Sequence, residues 1–195
     1  MQDAQNNRLD FSRDVGAVEC LFCFTGREQA VANEVNRSNN VTAVVAAKWK
    51  KEWHQGGWRT ERKVILPGYV FLYWHDVTPG VLEITTSRFL RVLKYSDGST
   101  LLTGTDKAFA DWLWTQNGTI GVSKARRCEG EKLAFSGPLA QFGGVITMID
   151  RRKQIARITL DIAGGTNVWL SFDYDDAPFC DPQEDGGSSV CPGTD

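Results

Sequence analysis

Apolar and polar positions along the chain change period several times, and each change predicts an element. Cys20 to Thr25 (CLFCFT) is a short apolar run bounded by Gly26, the pattern of a buried strand. In the following REQAVANEVNRS, Ala30, Val31 and Val35 fit a 3.6-residue period, which predicts an amphipathic helix ending near Ser38-Asn39-Asn40. Val41 to Trp49 reads as one strand, and Gly56-Gly57 as the tip of a long hairpin or loop. Lys63 to Trp74 (KVILPGYVFLYW) is the most β-prone stretch, and Pro67-Gly68 inside it predicts a kink or bulge within a single strand. Thr78-Pro79 starts a short helix running to about Ser87. Arg88 to Tyr95 is a strand, and Ser96-Asp97-Gly98 a turn. Thr105 is placed to cap the helix DKAFADWLWTQ, whose Phe109, Trp112 and Leu113 share one face. The order β-α-β-β-α-β-α suits a sheet with helices on one side, an α+β arrangement.

After Gly118 the pattern changes. Residues 119–128 are polar and basic and read as a linker. From Glu129 onward there are only short strands, EKLAFSG, GVITMID, QIARITLDI and NVWLSFD, separated by turn residues at close spacing. About 45 residues of short strands close only a small β-barrel. The expected organisation is a segment 1–17 without structure, a domain over 18–118, the linker 119–128, a second domain over 129–172, and an acidic disordered tail over 173–195.

Composition narrows the class. With 195 residues, 42% hydrophobic and 24% charged, the chain has the make-up of a globular protein. No apolar run reaches the ~20 residues of a membrane span, and the polar start lacks the pattern of a secretory signal. Five cysteines without regular spacing argue against a disulfide scaffold, so a cytoplasmic protein is expected. The net charge of −2 conceals an asymmetry. Residues 173–195 hold seven acids and no Lys or Arg, which leaves 22 basic against 17 acidic residues in 1–172. The run 48–63 (KWKKEWHQGGWRTERK) has six Lys or Arg, two Glu and three of the seven tryptophans. Interleaved cations and flat aromatics suit phosphate contact plus base stacking, although a solvated hairpin anchored by tryptophans has the same pattern.

Two motifs stand in order, roughly 70 residues apart: Leu66-Pro67-Gly68-Tyr69-Val70-Phe71, and Glu129-Gly130-Glu131 with Ser136-Gly137-Pro138-Leu139, Gly144 and Ile149-Asp150. Together with Gly26-Arg27-Glu28 they resemble the NusG family of bacterial transcription elongation factors, an N-terminal NGN domain followed by an SH3-like KOW barrel. The stretch SGPLAQFGGVITMIDRRKQIARITL is similar to the specialised LoaP-type paralogues, which promote antitermination. Two departures are Val18-Glu19, where the family opens its first strand with Trp-Tyr, and Gln141, where it has glycine.

The resemblance implies a monomer that binds RNA polymerase. An apolar patch of Phe22, Leu66, Tyr69 and Phe71, with Ile84 and Phe89, would take the β′ clamp helices. His75-Asp76-Val77-Thr78, through Asp76 and Thr78, would meet the β gate loop. Bridging the two jaws would close the clamp and oppose pausing. Lys50, Lys51, Arg59, Arg62 and Lys63 would lie beside upstream DNA or RNA. In the second domain Lys132, Arg151, Arg152, Lys153 and Arg157 would help read a nascent RNA hairpin. The alternative is a free-standing, ribosome-associated KOW-type RNA-binding protein.

Chemistry of other kinds has little support. Cys20 and Cys23 are spaced like a metal or redox pair, but in a strand i and i+3 point to opposite faces, and no second pair follows. Cys128 beside Arg126 and Arg127 is a linker thiol. Neither His54 nor His75 has a nucleophile and an acid at a recognisable spacing. The expectation is no enzyme, no cofactor, no metal and no membrane partner.

Overall fold

The computed structural model describes residues 9–37, 40–54, 57–76, 78–80, 89–128, 132–142, 144–161 and 165–175, the side chains of 51–54, 57–60 and 89 excepted. The predicted helix beginning at Thr78-Pro79 falls mainly on 81–88, outside these residues, as do residues 1–8 and the tail from 176. No helix among the described residues is long and apolar enough to cross a membrane. The chain forms two compact units, one of residues 1–45 and 68–102, the other of 46–67 and 103–195.

Among its described residues the first unit has a four-stranded sheet and a helix. Strand β1 (Ala17–Cys23) pairs antiparallel with β5 (Tyr69–Trp74) and with β6 (Phe89–Val92), and β5 pairs with β2 (Val41–Val44), giving the order β2-β5-β1-β6. Helix α1 (Glu28–Val35) lays its apolar stripe of Val31, Ala32 and Val35 on Leu21, Val41, Val70 and Leu72. Fully burying one such aliphatic side chain contributes about 1.5–3 kcal/mol. Trp74 belongs to the same cluster, and its indole N–H donates to the buried Glu19 carboxylate at 2.9 Å. Pairing reaches back into the amino-terminal segment, where the Gly16 N–H donates to the Trp74 carbonyl. The expected break between residues 17 and 18 is therefore absent, because β1 starts at Ala17.

Among its described residues the second unit has two sheets and a helix. Strands β3 (Ala47–His54) and β4 (Gly57–Val64) form the predicted hairpin, and β7 (Thr119–Ile120) pairs parallel with β3. Helix α2 (Gly104–Thr115) buries Phe109, Trp112 and Leu113, the face read from the sequence. Thr103, not Thr105, holds the N-cap position, with extended backbone and no side-chain capping hydrogen bond, while Asp106 falls in the first turn, where free amide groups favour a carboxylate. The remaining sheet has the order β10-β11-β12-β8-β9, with β8 Ser123–Arg127, β9 Leu133–Ser136, β10 Ile146–Asp150, β11 Ile155–Leu160 and β12 Thr166–Tyr174.

Several sequence expectations change here. Val41 to Trp49 is two strands in two sheets, and so are the halves of Lys63 to Trp74. The register shows why. Between the pairs Val44–Phe71 and Ala47–Val64, two residues on one side face six on the other. Those extra residues hold the Pro67-Gly68 turn, so the insertion ends one strand and starts another where a bulge was expected. The supposed linker 119–128 supplies β7 and β8, and Ser123 and Ala125 are buried. The tail begins later than residue 173, because Asp173 and Tyr174 complete β12 and pair with Lys124 and Ala125. The compact units thus do not coincide with 18–118 and 129–172, since the hairpin and α2 group with the later strands.

The motif glycines have local reasons. At Gly137 φ is +76°, and the turn Pro138–Gln141 that follows is 3-10 helical. The buried Leu139 N–H donates to Ser123 Oγ at 2.9 Å. Gly144 lies against the Phe142 ring so closely that a Cβ there would overlap it. Gln141, at the departure from the family pattern, accepts a hydrogen bond from the Gln116 amide.

Candidate functional site

Two surfaces carry the residues singled out by the sequence. In the first unit Phe22 on β1 faces Tyr69 on β5. Their ring centroids are 5.3 Å apart with planes tilted by 54°, and both side chains are half-buried. The Arg91 guanidinium, opposite Phe22 on β6, lies 6.0 Å from the Phe22 ring centroid. This is a small aromatic surface with a cation at its edge.

The other patch candidates are placed differently. Phe71 is 1% exposed and pairs with Cys20 in the middle of the sheet, so it is a packing residue. Tyr69 and Phe71 share a face, yet Tyr69, at the strand's first position, reaches the surface while Phe71 does not. Leu66 is also 1% exposed and belongs to the second unit. Ile84 lies outside the described residues, and of Phe89 only the backbone is described, opposite Cys23. Asp76 and Thr78 are exposed beyond the end of β5. The chain there is held by His75, whose Nδ1–H donates to the Asp14 carbonyl at 3.0 Å and whose Nε2 shares a hydrogen bond of 3.0 Å with the Thr42 hydroxyl. Phe24 is 53% exposed, because β1 ends at Cys23 and not at Thr25 as the apolar run predicts.

One carboxylate organises this region. Glu28 is 5% exposed, and its Oε1 accepts from the Gly68 N–H at 2.7 Å and from the Gly26 N–H at 3.0 Å. It thus ties the turn after β1 to the Pro67-Gly68 turn, joining two motifs some forty residues apart. Burial pushes its pKa up, but the hydrogen bonds from Gly26, Gly68 and its own N–H prevail and hold it below the ordinary value. Gly68 has φ of +87°, and a Cβ there would meet the Phe22 ring at 2.9 Å and the Cys23 carbonyl at 3.2 Å. The glycine is required both by its backbone and by the aromatic packed upon it.

The second surface is basic. Register divides the hairpin candidates between two faces. Lys48 pairs with Lys63 and Lys50 with Glu61 on one face, whereas Arg62 pairs with the 42% exposed Trp49 on the other. Lys51 and Arg59 are described only in backbone, opposite Thr60 and Glu52. Lys63 is 3.9 Å from Glu61, an exposed pair of little energetic weight. Arg62 Nε donates to Thr119 Oγ1 at 3.1 Å. Lys48, not among the sequence candidates, donates to the Trp169 carbonyl of β12 at 2.6 Å. Burial lowers its pKa, and the charges of Lys50 and Lys63 lower it further.

The later basic residues split as well. Arg151, Arg152 and Lys153 are exposed in the turn between β10 and β11. Asp150 shapes that turn by accepting the Lys153 N–H at 2.9 Å. Lys132 is exposed just before β9. Arg157 stands apart on β11, its guanidinium 5.7 Å from the Trp169 ring centroid. A further basic group lies on β8, where Lys124 is 3.6 Å from Asp173 and Arg126 Nε donates to Asp175 at 3.0 Å. Acids at and just beyond the end of β12 therefore pair with the cations of β8.

No family model matches the chain, and no curated protein matches it. Among solved structures it is similar to NusG of Thermotoga maritima. That structure, described as "Domain interaction in Thermotoga maritima NusG", is 17% identical, over 80% of this chain and 93% of that one, with a TM-score of 0.42.

Among the described residues no three His, Cys, Asp or Glu side chains are grouped to hold a metal ion. Cys23 is fully buried, and burial together with the Glu28 charge pushes its thiol up to about 11, which makes it a poor nucleophile.

Proposed function

We propose that this chain is a NusG-type transcription elongation factor, specialised in the manner of the LoaP paralogues. In this reading the first unit binds the clamp helices of RNA polymerase, and Asp76 and Thr78 reach the β gate loop. The bridged clamp favours processive antitermination, and the basic surface of the second unit contacts a nascent RNA hairpin. The observation that carries the reading is the Phe22–Tyr69 pair. It is half-exposed, edged by Arg91, and set by a Pro-Gly turn locked to Glu28. Half-buried aromatics on a rigid sheet are suited to anchor the apolar ridge of a helix pair, and such residues dominate interface energies.

The test is capture of a purified β′ clamp-helix fragment by the full chain, compared with Tyr69→Ala and Arg91→Glu variants whose thermal melts match the parent. Capture by the parent and at least tenfold weaker capture by Tyr69→Ala supports the proposal. No capture by the parent removes the polymerase reading. If hairpin RNA still binds in that case, the free-standing RNA-binding protein takes its place.

A further inference from the structure

We propose that the Trp169 indole and the Arg157 guanidinium form a stacking platform for single-stranded nucleic acid, whose phosphates are met by the lysines at the base of the β3–β4 hairpin. The inference rests on the nucleic-acid part of the reading above and alters its chemistry. It places recognition on unpaired bases at a sheet face, not on an arginine-rich turn in a groove.

Three observations converge there. First, Trp169 is 36% exposed on the outward face of β12, directly opposite Arg157 on β11. Arg157 is steadied by its Nε–H donating to Thr147 Oγ1 at 3.2 Å. A flat indole with a guanidinium over it offers an unpaired base both a π-face and a delocalised cation. Second, Lys48 donates to the carbonyl of Trp169 itself, which brings the base of the hairpin to the platform. Lys63 lies directly across from Lys48, and Lys50 is two positions along on the same face. Burial lowers the Lys48 pKa first and the charges of Lys50 and Lys63 lower it further, and a bound phosphate would offset that repulsion. Third, the same sheet face carries a polar margin suited to base edges and ribose. The Thr159 hydroxyl donates to Asn167 Oδ1 at 2.9 Å, and Asn167 is exposed with its amide donors. Cations beside a partly exposed stacking aromatic fit a nucleic acid whose bases are unpaired.

The experiment is fluorescence anisotropy with the full chain and labelled 12-nucleotide oligo(U) and oligo(dT), with unlabelled 12-base-pair RNA duplex as competitor. Loss of one stacked base corresponds to a change of about 5- to 150-fold in affinity. Trp169→Ala should weaken single-strand binding at least fivefold. Trp169→Phe, which keeps a ring, should stay within about threefold of the parent. Lys48→Met should weaken binding and flatten its dependence on salt. Stronger binding of oligo(U) than oligo(dT) would assign the platform to RNA, and equal binding to either strand. The proposal is overturned if neither oligonucleotide binds at low salt, if Trp169→Ala binds as the parent does, or if duplex competes as well as single strand. Clamp-helix capture by Trp169→Ala keeps the two readings separate. Trp169-dependent binding without capture retains the platform alone, and capture without Trp169 dependence retains only the polymerase reading.

Discussion

Replacing Glu28 is the sharpest test of how the first unit is held. One oxygen of this buried carboxylate accepts from two backbone N–H groups, at 2.7 Å from Gly68 and 3.0 Å from Gly26. Hydrogen bonds to a charged acceptor contribute about 1.5–3 kcal/mol each, and the two share one atom, so they are not fully additive. Glu28→Ala leaves the buried Gly68 amide without its acceptor and should cost about 3–4 kcal/mol. Glu28→Gln keeps an oxygen but loses the charge and should cost about 1–2 kcal/mol at neutral pH. The pH dependence follows from the lowered pKa. A carboxylate depressed in the fold stabilises fully above its ordinary value of 4.5, and the contribution is lost as pH falls through the folded value. The assay is urea unfolding of the parent and Glu28→Gln from pH 7 down to pH 3, with the midpoint difference read at each pH. The difference should be largest at pH 7 and shrink on acidification. A constant difference across that range, or a loss below about 1 kcal/mol for Glu28→Ala, would refute the clasp.

Three further outcomes are expected. Gly68→Ala should lose about 1–3 kcal/mol, since it combines a positive φ with a Cβ 2.9 Å from the Phe22 ring, and the same urea titration measures it. Trp112 packs against Phe109 and Phe142 and donates to the Pro138 carbonyl, so Trp112→Ala should cost about 3–5 kcal/mol, seen as a lower melting temperature. Maleimide labelling of the native protein at pH 8, mapped by mass spectrometry, should spare Cys20 and Cys23, both fully buried, and modify the half-buried Cys128.

Local pattern was enough for much of this. The amphipathic faces of α1 and α2, the basic hairpin and the short strands after residue 129 each follow from period and turn chemistry, which act over a few residues. The motifs were legible too, although not their mechanism: Gly26-x-Glu28 and Pro67-Gly68 belong to one hydrogen-bonded clasp that no short window displays. What spacing leaves open is which sheet a strand joins. Val41 to Trp49 has no turn residue to break it, and only pairing decides that it breaks at Val45-Ala46 and enters two sheets. Pairing likewise turned a basic linker into β8, because its alternate residues Ser123 and Ala125 fill the core beside β12.

The candidate surfaces divide in the same way. The sequence by itself determined which residue types are present: aromatics around Pro67-Gly68, cations in 48–63 and 151–157, and glycines where the backbone needs them. Only the tertiary structure decided which of them meet and which reach solvent. It buried Phe71 and left Tyr69 half-exposed on the same strand face, and it set Lys48 against Trp169 across 121 positions of chain. Burial and long-range contact are properties of pairs of elements, and neither partner alone carries that information.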